Sequence, residues 1–297
     1  MRGPSVPAEL ALTDDPSTRV DVEKDQRQAA RARIRRRRGM VYVLRVLLGV
    51  AIVGGWELCT RAGWVDPFFY GQPSGIFWQI QTWVTEGTAQ GPLWRQVAAT
   101  LEETLLGFGI GVLLGIVLGV LLGTNRLLAD IFAPYIKGFN AIPRVVLGAI
   151  FTLAFGLGMS SKVALAVVLS FFVVFFNAFQ GVREVDPNLI NNARILGASR
   201  LRITTDVTVP SALSWILASL HTSFGFALVG AVVGEFLGST EGIGLLISTA
   251  QNSFNANGVF AAMVILGVVA IIAESIVTAL ENRMIRWRPN PITDITI

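Results

Sequence analysis

Apolar residues in this chain come in blocks about as long as a bilayer's hydrocarbon core is thick, and that restricts the backbone to one structure. The blocks cover about 41–60, 98–123, 138–157, 163–182, 211–237 and 259–281. At 1.5 Å rise per residue, about 20 residues cross roughly 30 Å of hydrocarbon. Lipid offers no partner to backbone N–H and C=O groups, so each block must be a helix that closes its own hydrogen bonds. Hydrophobic residues fill 53% of 297 positions and charged residues only 15%, and with blocks this long the composition argues against a soluble protein with apolar core helices. The blocks predict an all-α polytopic membrane protein with six transmembrane helices.

Lys and Arg set the expected orientation. Arg27, Arg31, Arg33 and Arg35 to Arg38 precede the first block. Arg183, Arg194, Arg200 and Arg202 lie between the fourth and fifth blocks, and Arg283, Arg286 and Arg288 follow the last. Segment 61–97 holds only Arg61 and Arg95, and 238–258 holds none. Both termini and the 183–202 loop are therefore expected in the cytoplasm. The net charge of +4 follows from this rule and gives no support to nucleic-acid binding. The first 40 residues lack the apolar core of a cleavable signal. Residues 1–20 are expected to be disordered, and 21–38 to form an Arg-rich helix on the anionic inner leaflet or a simple topological anchor. Cys59 is the only cysteine, so neither a disulfide within the chain nor a Cys-rich metal site can form.

Between the fourth and fifth blocks runs Val185-Asp186-Pro187-Asn188-Leu189-Ile190-Asn191-Asn192-Ala193-Arg194-Ile195-Leu196-Gly197-Ala198. Asp186 is a good N-cap, and Pro187 suits the first helical position, where no N–H is needed. Gly197 can adopt the left-handed conformation that ends a helix. A short helix over 187–197, held outside the bilayer, is predicted.

That loop resembles the "EAA" loop of permease subunits of ATP-binding-cassette (ABC) importers. Ala193, Gly197, Val207, Val209 and Pro210 stand in the family's register, while Asn191 and Asn192 replace its Glu and Ala. The likeness runs from about Val41 to Trp287, and Gln72-Pro73-Ser74-Gly75-Ile76-Phe77-Trp78 is similar to a stretch of the nitrate/sulfonate/taurine-type branch. The resemblance implies the type I (MetI-like) permease fold with an additional N-terminal helix. Its domains would be a cytoplasmic tail 1–38, a permease domain 39–287 and a tail 288–297. It implies a bacterial inner (plasma) membrane location and a homodimer. The expected partners are two ATPase subunits, which carry ATP and Mg, and an extracytoplasmic solute-binding protein. Asp186, Pro187, Asn191, Asn192, Ala193, Gly197, Ala198 and a rigid turn at Pro210 would form the ATPase-coupling element.

Gly107, Gly111, Gly115, Gly119 and Gly123 recur every fourth residue, as do Gly230, Gly234 and Gly238. Such ladders let helix backbones approach closely, which lipid-embedded helices need because no hydrophobic drive joins them. The contact could lie within one subunit or between two. The aromatics of 61–97 are explained as interfacial anchors.

Ionisable and polar groups at membrane depth are functional candidates. Glu103, Arg144, Ser219, His221, Thr222 and Glu235 are candidates for a solute pathway or gate. Glu102 can face the outer interface, and Glu274 can pair with Arg283 or Arg286. Nitrate/sulfonate-type relatives usually carry Arg where Glu103 and His221 stand. Together with Ile142-Pro143-Arg144-Val145, which looks like pyrimidine- and riboflavin-type relatives, this implies a neutral or cationic solute, such as a heteroaromatic vitamin precursor. Glu235 in Val233-Gly234-Glu235-Phe236-Leu237-Gly238 matches the family, as does Phe155-Gly156-Leu157-Gly158 with Lys162 following.

No Gly-x4-Gly-Lys-Ser/Thr loop is present, so ATP-driven transport would need a separate ATPase. One His and one Cys provide no nucleophile–base or metal set, which argues against an enzyme. An ion-coupled secondary transporter using Glu103, Glu235 and His221 as a proton relay is the alternative, though inverted repeats are not seen.

Overall fold

A computed structural model describes residues 16–284, with side chains over 36–279 and at 283. The chain divides into two compact units, the first ending at Val65 and the second beginning at Asp66. The first holds α1 (Pro16–Arg61), whose Arg36–Arg61 part is apolar enough to cross a bilayer. Residues 16–20, expected to be disordered, are helical here. Residues 1–15 and the 288–297 tail lie outside the described residues, as do Arg286 and Arg288. Leu47 and Leu48 project outward from α1, as lipid-facing side chains do.

The second unit contains α2 (Pro67–Tyr70), α3 (Pro73–Thr85), α4 (Leu93–Thr124), α5 (Arg126–Ala141), α6 (Leu147–Phe155) and α7 (Met159–Arg183). It continues through α8 (Pro187–Ile195), α9 (Arg200–Ile203), α10 (Val209–Leu237), α11 (Ile243–Asn252) and α12 (Ala256–Met284). Among the described residues five helices are long and apolar enough to span, or six if the bent pair α5/α6 counts as one.

The glycine ladder of α4 lies against α7, within one chain. A Cβ on Gly107, Gly111, Gly115, Gly119 or Gly123 would collide in turn with Ala166, Ser170, Val174, Ala178 or Val182. Both sets climb together by four residues, so α4 and α7 run parallel with their backbones in contact. At Gly119 the added carbon would sit 2.7 Å from the Ala178 Cβ and 2.8 Å from the Phe175 carbonyl. On an adjoining face of α7, Gly230 and Gly234 of α10 press on Ala166 and Lys162, and Gly238 faces Leu157 and Thr152. Ser170 stitches the three helices: its hydroxyl donates to the Gly107 carbonyl at 3.3 Å, and its own carbonyl accepts from Ser223 at 3.3 Å. Toward the α8 end, Ala178, Val182, Ala212 and Ile216 complete this core.

The third apolar block is not the continuous helix expected over 138–157. α5 and α6 meet at a 78° bend around Pro143. Proline removes an N–H and excludes helical geometry from the residue before it; Ile142 accordingly sits at φ −74°, ψ 130°. A second correction concerns Pro210, where a rigid turn was expected. Arg200–Leu237 instead forms one helix of 38 residues, with a π turn over Thr204–Thr208. Pro210 cannot donate to the preceding turn and its ring would crowd it, and the widened turn just before it accommodates both.

Candidate functional site

Two constructions stand out, at opposite ends of the α4–α7–α10 core. The first is α8. The Asp186 carboxylate accepts from the Asn188 N–H at 2.8 Å, and Pro187 opens the helix. The helix ends at Ile195, two residues before the glycine that bounded the sequence estimate. Gly197 has φ +80°, a conformation costly for any residue with a Cβ, and Ala198 N–H closes on the Ala193 carbonyl at 3.0 Å. Val185 is buried and anchors the approach. Ile190 and Arg194, one turn apart, share the face turned to the body of the protein, where both line a cleft. Asn188, Asn192 and Ile195 share the opposite face. Ile195 is 83% and Leu196 86% exposed, and Asn191 and Asn192 are also exposed.

The second is a buried polar latch. Gln96, Thr100 and Glu103 fall on one stripe of α4, following the i, i+4, i+7 rule. They meet Lys162 of α7, Glu235 of α10 and the start of α11. The first N–H groups of a helix lack intrahelical partners. Here Gly242 N–H donates to Gln96 Oε1 at 2.8 Å, Ile243 N–H to Thr100 Oγ1 at 2.9 Å, and Gly244 N–H to Glu235 Oε2 at 2.6 Å. The Thr100 hydroxyl in turn donates to Glu235 Oε1 at 2.7 Å. Lys162, fully buried, donates to the carbonyls of Leu157 and Gly158 in the α6–α7 turn. Glu103 lies against Glu235, with Lys162 nearby, and its Oε2 has no hydrogen-bond partner among the described residues.

The structure thus brings Glu103 and Glu235 together and leaves the other candidates apart. His221 Nε2 contacts Glu274 Oε1 at 2.7 Å, and Nδ1 lies 3.4 Å from the Thr278 hydroxyl. Among the described residues Glu274 thus pairs with His221 and not with Arg283, while Arg286 lies outside the described residues. His221 and Glu235 are separated by about 21 Å along α10 at the helical rise, so no relay links them directly. Ser219 is buried and donates to the Ile216 carbonyl at 2.6 Å, while Thr222 is exposed. Arg144 bonds Asn140 and stacks its guanidinium 4.6 Å above the Phe172 ring. Glu102 is exposed. Sequence reasoning missed Gln96 and Thr100. Their spacing ahead of Glu103, on an otherwise apolar helix, was the available signal.

Among the described residues no three His, Cys, Asp or Glu side chains converge as metal ligands. Apolar spans in close glycine contact, with one short capped helix between two of them, define a polytopic membrane protein.

The chain belongs to the binding-protein-dependent transport system inner membrane component family, whose pattern it matches over residues 111–286. It is 30% identical to a putative aliphatic sulfonates transport permease of Bacillus subtilis, over 82% of this chain and 87% of that one. It is 33% identical to a riboflavin transport system permease of Chloroflexus aurantiacus, covering 78% and 85%. Against a formylaminopyrimidine transport permease of Halalkalibacterium halodurans the identity is 30%, covering 78% and 91%. Inward-facing structures of the MetNI methionine ABC transporter share the fold, with a TM-score of 0.57, 20% identity, and coverage of 65% of this chain and 94% of that one. The chain is therefore an ABC-importer permease subunit resident in a membrane.

Proposed function

We propose that this chain forms the translocation pathway of an ATP-driven importer for a small polar solute of the sulfonate or heteroaromatic type, and that α8 is its link to the motor. The observation that carries the coupling role is the helix itself. It is capped at both ends, backed by Ile190 and Arg194, and displays Asn192, Ile195 and Leu196 to solvent. Two ATPase subunits, closing around ATP and Mg, would each hold the α8 of one permease copy in a homodimer. The motion would pass through the α9–α10 helix, whose π turn at Thr204–Thr208 is the deformable part. An extracytoplasmic binding protein would deliver the solute, with both permease termini in the cytoplasm.

The solute class rests on the relatives named above and on the residues that replace arginine. Glu103 is an acid where those relatives usually carry Arg, and His221 is engaged by Glu274, so neither position supplies a free cation to an anionic solute. This favours a neutral or cationic heteroaromatic compound over a sulfonate. Copurification of the ATPase subunit with tagged permease tests the coupling role. Gly197→Val and Ala193→Asp should lose the ATPase while the permease keeps its thermal unfolding transition. Retention of the ATPase by both variants would refute docking at α8.

A further inference from the structure

Beneath α8 lies a cleft of about 530 Å³ whose lining includes Arg126 at the start of α5, Arg194 of α8 and Arg200 at the start of α9. No Asp or Glu lines it, and none of the three guanidinium groups makes an ion pair within 4.0 Å among the described residues. Leu121 of α4, at the rim of this cleft, also lines a second one of about 570 Å³. That second cleft is wholly apolar, walled by α4, α5 and α7 with Leu118, Phe132, Phe139, Phe171 and Phe175. Phe171 and Phe175 lie about 10 to 16 Å deeper along α7 than Val182, which lines the arginine cleft.

We propose that the two clefts together bind one anionic phospholipid, its phosphate among Arg126, Arg194 and Arg200 and one acyl chain passing Leu121 into the aromatic groove. Keeping arginines on the cytoplasmic side requires only that they lie beyond the spans; it does not require three of them, from three separate elements, to converge on one cavity. A guanidinium presents a fork of donors matched to phosphate oxygens and carries a permanent charge. The cleft sits where α4 ends, at the depth of headgroups, and the continuation inward is apolar, as an acyl chain demands. Arg194 belongs to α8, so a bound lipid would tie the position of that helix to the α4–α5 turn. The lipid site itself does not depend on α8 binding an ATPase.

The test uses the full chain in nanodiscs containing a trace of phosphatidylglycerol with a photoactivatable acyl chain, followed by peptide mapping. Crosslinks are expected on α5 and α7 peptides bearing Phe132, Phe139 or Phe171, with little signal from the matching phosphatidylcholine probe. Labelling should fall about fivefold per arginine removed in Arg126→Gln, Arg194→Gln and Arg200→Gln combinations, and persist when all three become lysine. Removing the same charge at Arg36, Arg37 and Arg38 should leave it unchanged. Leu121→Trp, which blocks the passage and alters no charge, should also abolish it. Equal labelling by phosphatidylcholine, indifference to the three arginines, or crosslinks to a second permease chain in place of lipid would each overturn the proposal. Displacement of the probe by millimolar inorganic phosphate alone would assign the arginines to a free anion and overturn the lipid.

Discussion

The Thr100 hydroxyl and the Glu235 carboxylate, 135 residues apart in sequence, are joined by a 2.7 Å hydrogen bond that ties α4 to α10 at the end of the bundle remote from α8. Thr100 has two duties, since its oxygen also accepts from Ile243 N–H at 2.9 Å. Glu235 does the same, holding Gly244 N–H with its second oxygen at 2.6 Å. Two spans, α4 and α10, and the first turn of α11 are thereby pinned at one point, away from the arginine-lined cleft at the other end of α4.

Thr100→Val preserves shape and removes both bonds. A buried N–H at Ile243 and one Glu235 oxygen lose their partner, at a cost of about 2 to 4 kcal/mol for the two groups together. Thr100→Ser should cost under about 1 kcal/mol. Thermal unfolding of the detergent-purified chain, or equilibrium unfolding where it is reversible, reads the difference. Equal behaviour of Val and Ser would show that the latch bears no stability.

Lys162 acts on Glu103 and Glu235 through its field, with no ion pair to either within 4.0 Å among the described residues, so loss of its charge should be offset in part by removing one of the two acids. Lys162→Met removes the cation near Glu103 and Glu235 and the donor to the Leu157 and Gly158 carbonyls, and should cost at least about 1 to 3 kcal/mol. Adding Glu103→Gln should return a measurable part of that loss, because the two effects are coupled rather than additive. A double variant as unstable as the sum of the singles would contradict the shared cluster.

Two glycines two residues apart on α4 should respond in opposite ways. Gly111 abuts the Ser170 hydroxyl and the Val167 carbonyl, whereas a Cβ at Gly109 meets nothing within 4 Å in this chain. Gly111→Val forces α4 and α7 apart, with a penalty of at least about 2 kcal/mol from overpacking. Gly109→Val should be neutral or slightly stabilising in a monomeric preparation. Loss of stability at Gly109 alone would place the essential contact on the other face of α4.

Much of this architecture is legible in the residues. Apolar blocks mark the spans, and Asp186, Pro187 and Gly197 mark α8 because cap chemistry is local. The ladder shows that α4 meets a close neighbour. That the neighbour is α7 is hidden, since Ala166, Ser170, Val174, Ala178 and Val182 are ordinary residues whose four-residue register matters only once opposed to glycine. The bend at Pro143 was available from proline's chemistry but is masked by continuous hydrophobicity on both sides. The latch is harder still. Polar side chains on α4 acquire meaning from the unpaired N–H groups of Gly242, Ile243 and Gly244, which only tertiary structure brings to them. For the same reason Glu103 and Glu235 could be suspected singly but not as a pair, whereas the spacing of His221 and Glu235 on one predicted helix already set them about 21 Å apart.

Solute uptake into proteoliposomes addresses the central claim most directly. The permease would be reconstituted with its ATPase and binding protein, and offered a labelled heteroaromatic precursor or a sulfonate. Accumulation should require ATP on the ATPase side, vanish with Gly197→Val, and ignore an imposed proton gradient. Uphill accumulation by the permease alone, driven by that gradient without nucleotide, would contradict it.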